Sequence, residues 1–140
     1  EGFAIKRELV NIFPLEEGSI FINKDLEPQT EEHFEKAIAF SEGYAAIKYN
    51  GKWGFINSEF NHFLDIKYDN AQSFSDGLAP VKENKWGYIN KEGEYVISCK
   101  YDSCTTFKNR LAYVWINDNN FLIEGYINKA GTFIWYNEKH

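Results

Sequence analysis

Methionine is absent from the 140 residues, cysteine occurs twice, and proline and histidine three times each. No apolar run approaches the roughly 20 residues that a membrane-spanning helix needs, so no such span is expected. Sparse proline argues against a Pro-rich or disordered chain. Cys99 and Cys104 are too few for a disulfide framework and have no neighbouring histidine to build a metal knuckle. They do not fix a redox compartment, and the short bend between them leaves a Cys99–Cys104 disulfide open. Positive charge is also short, 15 Lys and Arg against 21 Asp and Glu, a net −6. With the basic residues scattered, a phosphate backbone would be repelled, so nucleic acid is not expected as a partner. His33, His62 and His140 stand in separate contexts, which supports neither a zinc site nor a Cys–His nucleophile. Glycines fall singly at turn positions and form no phosphate-cradling loop, so no cofactor and no metal are expected. The chain opens on Glu1-Gly2, which suits a start after a cleaved signal, a cut tag or an upstream domain and leaves localisation open.

What is abundant is aromatic: Phe 12, Tyr 9 and Trp 4, together 18% of the residues. Such side chains favour strands. They also recur. An aromatic-Ile-Asn signature appears as Phe21-Ile22-Asn23, Phe55-Ile56-Asn57, Tyr88-Ile89-Asn90 and Tyr126-Ile127-Asn128, its asparagines 34, 33 and 38 residues apart. Ahead of it lie Gly43-Tyr44-Ala45-Ala46-Ile47, Gly77-Leu78-Ala79-Pro80-Val81 and Arg110-Leu111-Ala112-Tyr113-Val114, with Gly2-Phe3-Ala4-Ile5 as a looser fourth. A period of this length marks a repeat array with degenerate outer units. The expected domain is a single repeat domain over 1–140, with units at 1–40, 41–74, 75–107 and 108–140.

Register follows by counting. Asn50-Gly51 is a type I′ hairpin signal because both central residues need positive φ. Pairing Tyr49 with Lys52 then sets Ile47 opposite Gly54 and Ala45 opposite Ile56, with Gly54 leaving room for packing. A three-residue loop at Glu83-Asn84-Lys85 keeps Val81 opposite Gly87. Val114 opposite Gly125 implies a longer hairpin tipped by Asp118-Asn119-Asn120-Phe121. Asn90-Lys91-Glu92-Gly93 and Asn128-Lys129-Ala130-Gly131 read as turns into a third strand. A further landmark, Phe34/Ala37/Phe40, Tyr68/Ala71/Phe74 and Tyr101/Cys104/Phe107, has the spacing of one inward-facing helical turn. In the first unit a helix is expected from Thr30, as cap, through Ala39. The reading is therefore all-β: tandem three-stranded meanders in an open twisted array with short helical turns. A small propeller-like ring is the alternative. A lone meander exposes an apolar face and needs neighbours stacked on it.

The candidate chemistry is thin. Asp69 and Asp102 share one repeat position, which fits turn capping by hydrogen bonds to local backbone better than a catalytic pair. Glu16-Glu17 and Glu31-Glu32 read as solvated charge. Cys104 fills the small slot held elsewhere by Ala37 and Ala71, as a buried packing thiol. The binding candidates are the ladder Trp53, Phe55, Trp86, Tyr88 and Tyr126, on the strand face opposite Gly54/Ile56 and Gly87/Ile89. It is read first as the second side of the core and next as a platform for a partner.

Gly77-Leu78-Ala79-Pro80-Val81, Lys85-Trp86-Gly87-Tyr88-Ile89-Asn90-Lys91-Glu92-Gly93, Val96-Ile97 and Lys100-Tyr101-Asp102 resemble the WG (KWG) β-repeat family of bacterial proteins over nearly the whole chain. Departures are Ser98-Cys99 in place of prolines, Glu59-Phe60-Asn61 without the turn glycine, and outer units lacking the Trp-Gly pair. The resemblance implies bacterial origin and a module often found in envelope-associated or secreted proteins, and brings no catalytic residues. The expected function is non-enzymatic binding of a protein, with carbohydrate as the less favoured ligand and self-association open. A small acidic immunity or effector-neutralising protein is the alternative reading. A carboxylate-dependent hydrolase is the last.

Overall fold

The computed structural model describes the backbone of residues 11–15 and 18–22, and residues 34–60 and 62–139 with their side chains. The expectations placed on Gly2-Phe3-Ala4-Ile5, Asn23 and Thr30 to His33 lie outside these residues. The strands are β1 Asn11–Leu15, β2 Gly18–Ile22, β3 Lys36–Ala37, β4 Tyr44–Tyr49, β5 Lys52–Asn57, β6 Phe63–Tyr68 and β7 Asn70–Ala71. They continue with β8 Ala79–Glu83, β9 Lys85–Ile89, β10 Tyr95–Tyr101, β11 Ser103–Cys104, β12 Ala112–Asp118, β13 Phe121–Ile127 and β14 Phe133–Lys139. Among the described residues there is no helix.

The chain divides into two compact units, Glu1–Lys67 and Tyr68–His140. The first holds the β1–β2 hairpin and the sheet β3-β4-β5-β6, whose last strand runs one residue into the second unit. Its core gathers Phe34, Ala45, Ile47 and Ile56, with Ala37, Phe40, Phe60 and Ile66 packed against them. The second holds two sheets of the same design, β7-β8-β9-β10 and β11-β12-β13-β14. Its core gathers side chains from both, among them Trp86, Tyr88, Ile97, Phe107, Ala112, Val114 and Ile127. The molecule is thus an all-β tandem repeat, and none of its four-stranded sheets closes on itself.

Two expectations are corrected. Each of the three repeats described from Lys36 onward has four strands, not three, and the expected helical turns are the fourth strand. Ala37, Ala71 and Cys104 lie on β3, β7 and β11 and pair with Ile47, Val81 and Val114 of the strand that follows. The neighbouring strand takes the backbone donors that a helical turn would have used internally: Asp69 N–H reaches Lys82 O at 2.8 Å and Gln72 N–H reaches Pro80 O at 2.9 Å. Asp102 and Thr105 bond in the same way to Trp115 and Tyr113. The three-residue spacing comes from a bend at Asp69 or Asp102, with the first aromatic ending one sheet and the small residue opening the next. Residues 34–39 of the expected first helix are not helical for the same reason: Glu35 N–H reaches Lys48 O and Ile38 N–H reaches Ala46 O, each at 2.8 Å. The inward orientation does hold: Phe34, Tyr68, Phe74, Tyr101, Cys104 and Phe107 are buried.

The register matches the count from sequence, with Ile47↔Gly54, Ala45↔Ile56, Val81↔Gly87, Val114↔Gly125 and Asp118↔Phe121. Asn50 and Gly51 have φ of 51° and 82°, as a type I′ tip requires. A second tight turn precedes each of β4, β8 and β12, with Ser41↔Tyr44, Ser75↔Leu78 and Lys108↔Leu111 bridging around it. The signature asparagine anchors the turn after it. Asn90 Oδ1 accepts from the N–H groups of Glu92 and Glu94, and Asn128 Oδ1 from those of Ala130 and Thr132. Asparagine recurs there because its short carbonyl arm reaches two backbone donors of its own loop.

Candidate functional site

A carboxylate recurs at the connector of each repeat described with its side chains. Glu35 Oε1 accepts the Gly51 N–H at 2.6 Å, Asp69 Oδ2 the Asn84 N–H at 3.1 Å, and Asp102 Oδ2 the Asn117 N–H at 2.7 Å. Each acid, carried on a connector, thus caps a backbone donor at or near the tip of the following hairpin. Capping is the role expected of Asp69 and Asp102, although the donor lies 15 residues away and not in the acid's own turn. Asp102 also pairs with Lys85. That ammonium, joined by the Asn117 N–H, holds the carboxyl below the usual carboxylate range.

Both cysteines are free thiols, Cys104 buried and Cys99 half-buried. Burial pushes the Cys104 thiol up to about 11, which leaves it protonated and suited to packing. The Tyr88 hydroxyl beside it donates to Thr105 O at 2.7 Å. Burial likewise pushes Tyr101 up to about 12. Among the described residues no group of three His, Cys, Asp or Glu is placed to hold a metal ion. Nor is any helix there long and apolar enough to cross a membrane.

Four of the five ladder residues are interior: Trp53, Phe55, Trp86 and Tyr88 are 8%, 0%, 9% and 0% exposed. β5 and β9 are covered on both faces, because Gly54/Ile56 and Gly87/Ile89 are buried on the side opposite the rings. Tyr126 differs at 44% exposure, although it holds the place of Tyr88 in its repeat. The structure therefore splits the ladder into a buried part and an open end.

That open end is larger than the sequence indicated. Tyr126 pairs with Tyr113 on β12 and with Trp135 on β14, so three rings from three adjacent strands share one sheet face. Tyr113 meets Tyr126 edge to face at 4.8 Å and Trp115 at 4.7 Å. Trp135 is 54% exposed. The register shift between Tyr126 and Ile127 leaves Ile134 unmatched and exposed beside it. One acid sits in this patch: Glu124 accepts the Tyr113 hydroxyl at 2.8 Å, and that hydrogen bond raises the phenol's pKa. Sequence reasoning missed Trp135, Ile134 and Trp115 because they fall outside the aromatic-Ile-Asn signature. The available signal was Trp115 on the same strand face as Tyr113, and a third strand, Phe133-Ile134-Trp135-Tyr136, with four apolar residues in succession.

A family model described as a WG containing repeat matches residues 33–53, 53–85 and 86–119. No curated protein and no solved structure matches the chain.

Proposed function

The chain belongs to the WG containing repeat family, and from that premise we propose that it is a non-catalytic module that binds a protein partner through the open aromatic face of its last sheet. The observation behind this reading is the contrast at one repeat position, where Tyr88 is 0% exposed and Tyr126 44%. A Tyr and Trp patch on a rigid sheet offers large contact area at low conformational cost, which is why these residues dominate the energetics of protein interfaces. Exposed Ile134 beside the rings favours a polypeptide over a sugar, since an aliphatic side chain adds apolar contact without hydrogen bonding. The recurrent carboxylates support a non-catalytic role, because Asp69 and Asp102 are engaged at hairpin loops. A bacterial, envelope-associated or secreted setting suits such a module.

The test is a photo-crosslinking residue in place of Trp135 in the native host. A trapped polypeptide that disappears when Tyr126→Ser is added supports the reading. Retention on immobilised oligosaccharides that depends on Trp135, with no polypeptide trapped, replaces it with a carbohydrate-binding one.

A further inference from the structure

We propose that Asn50 is a site of self-modification, where the side-chain amide is lost as ammonia through ring closure by the Gly51 nitrogen, with Glu35 carrying the proton. Asn50-Gly51 is the one Asn-Gly pair in the sequence. It forms the exposed tip between β4 and β5, both residues at positive φ. The nitrogen that follows an asparagine lies a five-membered ring away from its Cγ, so the attack is intramolecular and gains from proximity. A side chain on the following residue ordinarily crowds that ring, and glycine has none. Among the described residues beyond its chain neighbours, no heavy atom lies within 4 Å of a Cβ built on Gly51. The imide that results keeps no proton on this nitrogen, so the proton must be taken off. Glu35 Oε1 already accepts it at 2.6 Å, within the reach of a general base.

The other repeats lack this combination. Carboxylates cap the N–H groups of Asn84 and Asn117 in the next two repeats, but those nitrogens follow Glu83 and Ile116, which have no amide to lose. Elsewhere asparagine carboxamides are engaged by their own loops. Asn90 Oδ1 and Asn128 Oδ1 each accept two backbone N–H groups, and Asn57 Oδ1 accepts that of His62 at 3.2 Å. Asn109 stands at a similar tip with φ of 54°, yet the residue after it is Arg110, whose side chain crowds the ring. At Asn50 an exposed carboxamide, an unobstructed nitrogen and a carboxylate on that nitrogen come together.

The chemistry needs only water. Gly51 N forms a bond to Asn50 Cγ while its proton passes to Glu35. Glu35 returns that proton to Nδ2, the Cγ–Nδ2 bond breaks, and ammonia leaves. Water then opens the succinimide. Attack at Cγ breaks the new N–Cγ bond and gives an aspartate in the original main chain. Attack at the Asn50 main-chain carbonyl carbon breaks its bond to Gly51 N and leaves the chain running through the side chain. Either product puts a new carboxylate beside Glu35, and repulsion between like charges weakens the Gly51 cap. The β-linked product also lengthens a two-residue turn by one backbone carbon, which the type I′ geometry does not accommodate.

The full chain, aged in warm neutral buffer, is read by mass-spectrometric peptide mapping and by an assay for released ammonia. Conversion is expected first at Asn50, as a mixture of α- and β-linked products. Glu35→Gln keeps an oxygen that can accept the Gly51 N–H but takes the basicity away, and should slow the conversion about tenfold or more. Asn50→Ser should remove the early release of ammonia. Both side chains are exposed, so both variants keep the fold, and circular dichroism checks it. An Asn50 that stays intact, or that converts only after other asparagines, overturns the proposal. So does a Glu35→Gln variant that converts as fast as the parent or faster, since Glu35 would then only hold the turn.

Discussion

Gly87 shows why tryptophan is followed by glycine in these repeats. A Cβ at this position would lie 2.6 Å from Ile97 O and 2.9 Å from Cys99 N, because the third strand crosses directly over it. A Cβ at Gly54 would meet Ile66 Cα at 2.7 Å, and one at Gly125 would meet Trp135 O and, at 2.6 Å, Tyr136 Cα in the same way. The room that the glycine leaves is taken largely by the backbone of the third strand. Gly87→Ala must push β10 away and is expected to cost about 3 kcal/mol, the upper end of overpacking effects, measured by urea unfolding. Arg110 presents the opposite case. Its φ is 67°, and it holds the turn position that glycine holds at Gly43 and Gly77, with φ of 89° and 81°. Its side chain is exposed and its backbone N–H, bonded to Asp76, survives substitution. Arg110→Gly should therefore raise stability by about 1 kcal/mol, the cost of holding an L-residue in the left-handed region.

Between strands, the connectors do more than join sheets. Asp102 ends the step out of β10 and holds Asn117 at the far end of β12. Lys85 and the Asn117 N–H depress its pKa, so the folded protein releases this proton more readily than the unfolded chain does. The stabilisation is then complete above the unfolded value, about 4, and is lost as pH falls through the folded one. Asp102→Asn should lower the urea midpoint at neutral pH and flatten its decline on acidification. An unchanged acid limb would show that Asp102 carries no such linkage. The sequence identified the acid, its repeat position and its capping role. It could not identify the donor, because a bond spanning 15 residues depends on which strand the connector enters.

At the level of the whole molecule, stacking is what distinguishes otherwise equivalent strands. β9 is buried on both faces, whereas β13 is buried at Gly125 and Ile127 and open at Tyr126. β14 is an edge strand with six of its seven residues exposed. Local opening is easiest where few contacts are lost, so amide hydrogen exchange within the second unit should be slowest in β9 and fastest in β14. Equal protection in the two strands would mean that inter-sheet packing contributes little to local stability.

The period, the hairpin registers and the anchoring asparagines were legible in the residues alone, since each depends on contacts within a few positions or on strict alternation along a strand. Asn-Gly at a tip and glycine opposite Ile47, Val81 and Val114 leave one pairing that keeps a consistent inner face. The fourth strand was not legible, because an aromatic, a small residue and a phenylalanine three apart describe a helical turn and a bent extended connector equally well. Only the neighbouring strand, by accepting the backbone hydrogen bonds, decides between them. Exposure was decided in the same way. Tyr88 and Tyr126 share one signature in sequence, and what separates a core residue from a candidate contact residue is whether a connector lies across the ring, a property of the stacked sheets and not of the strand.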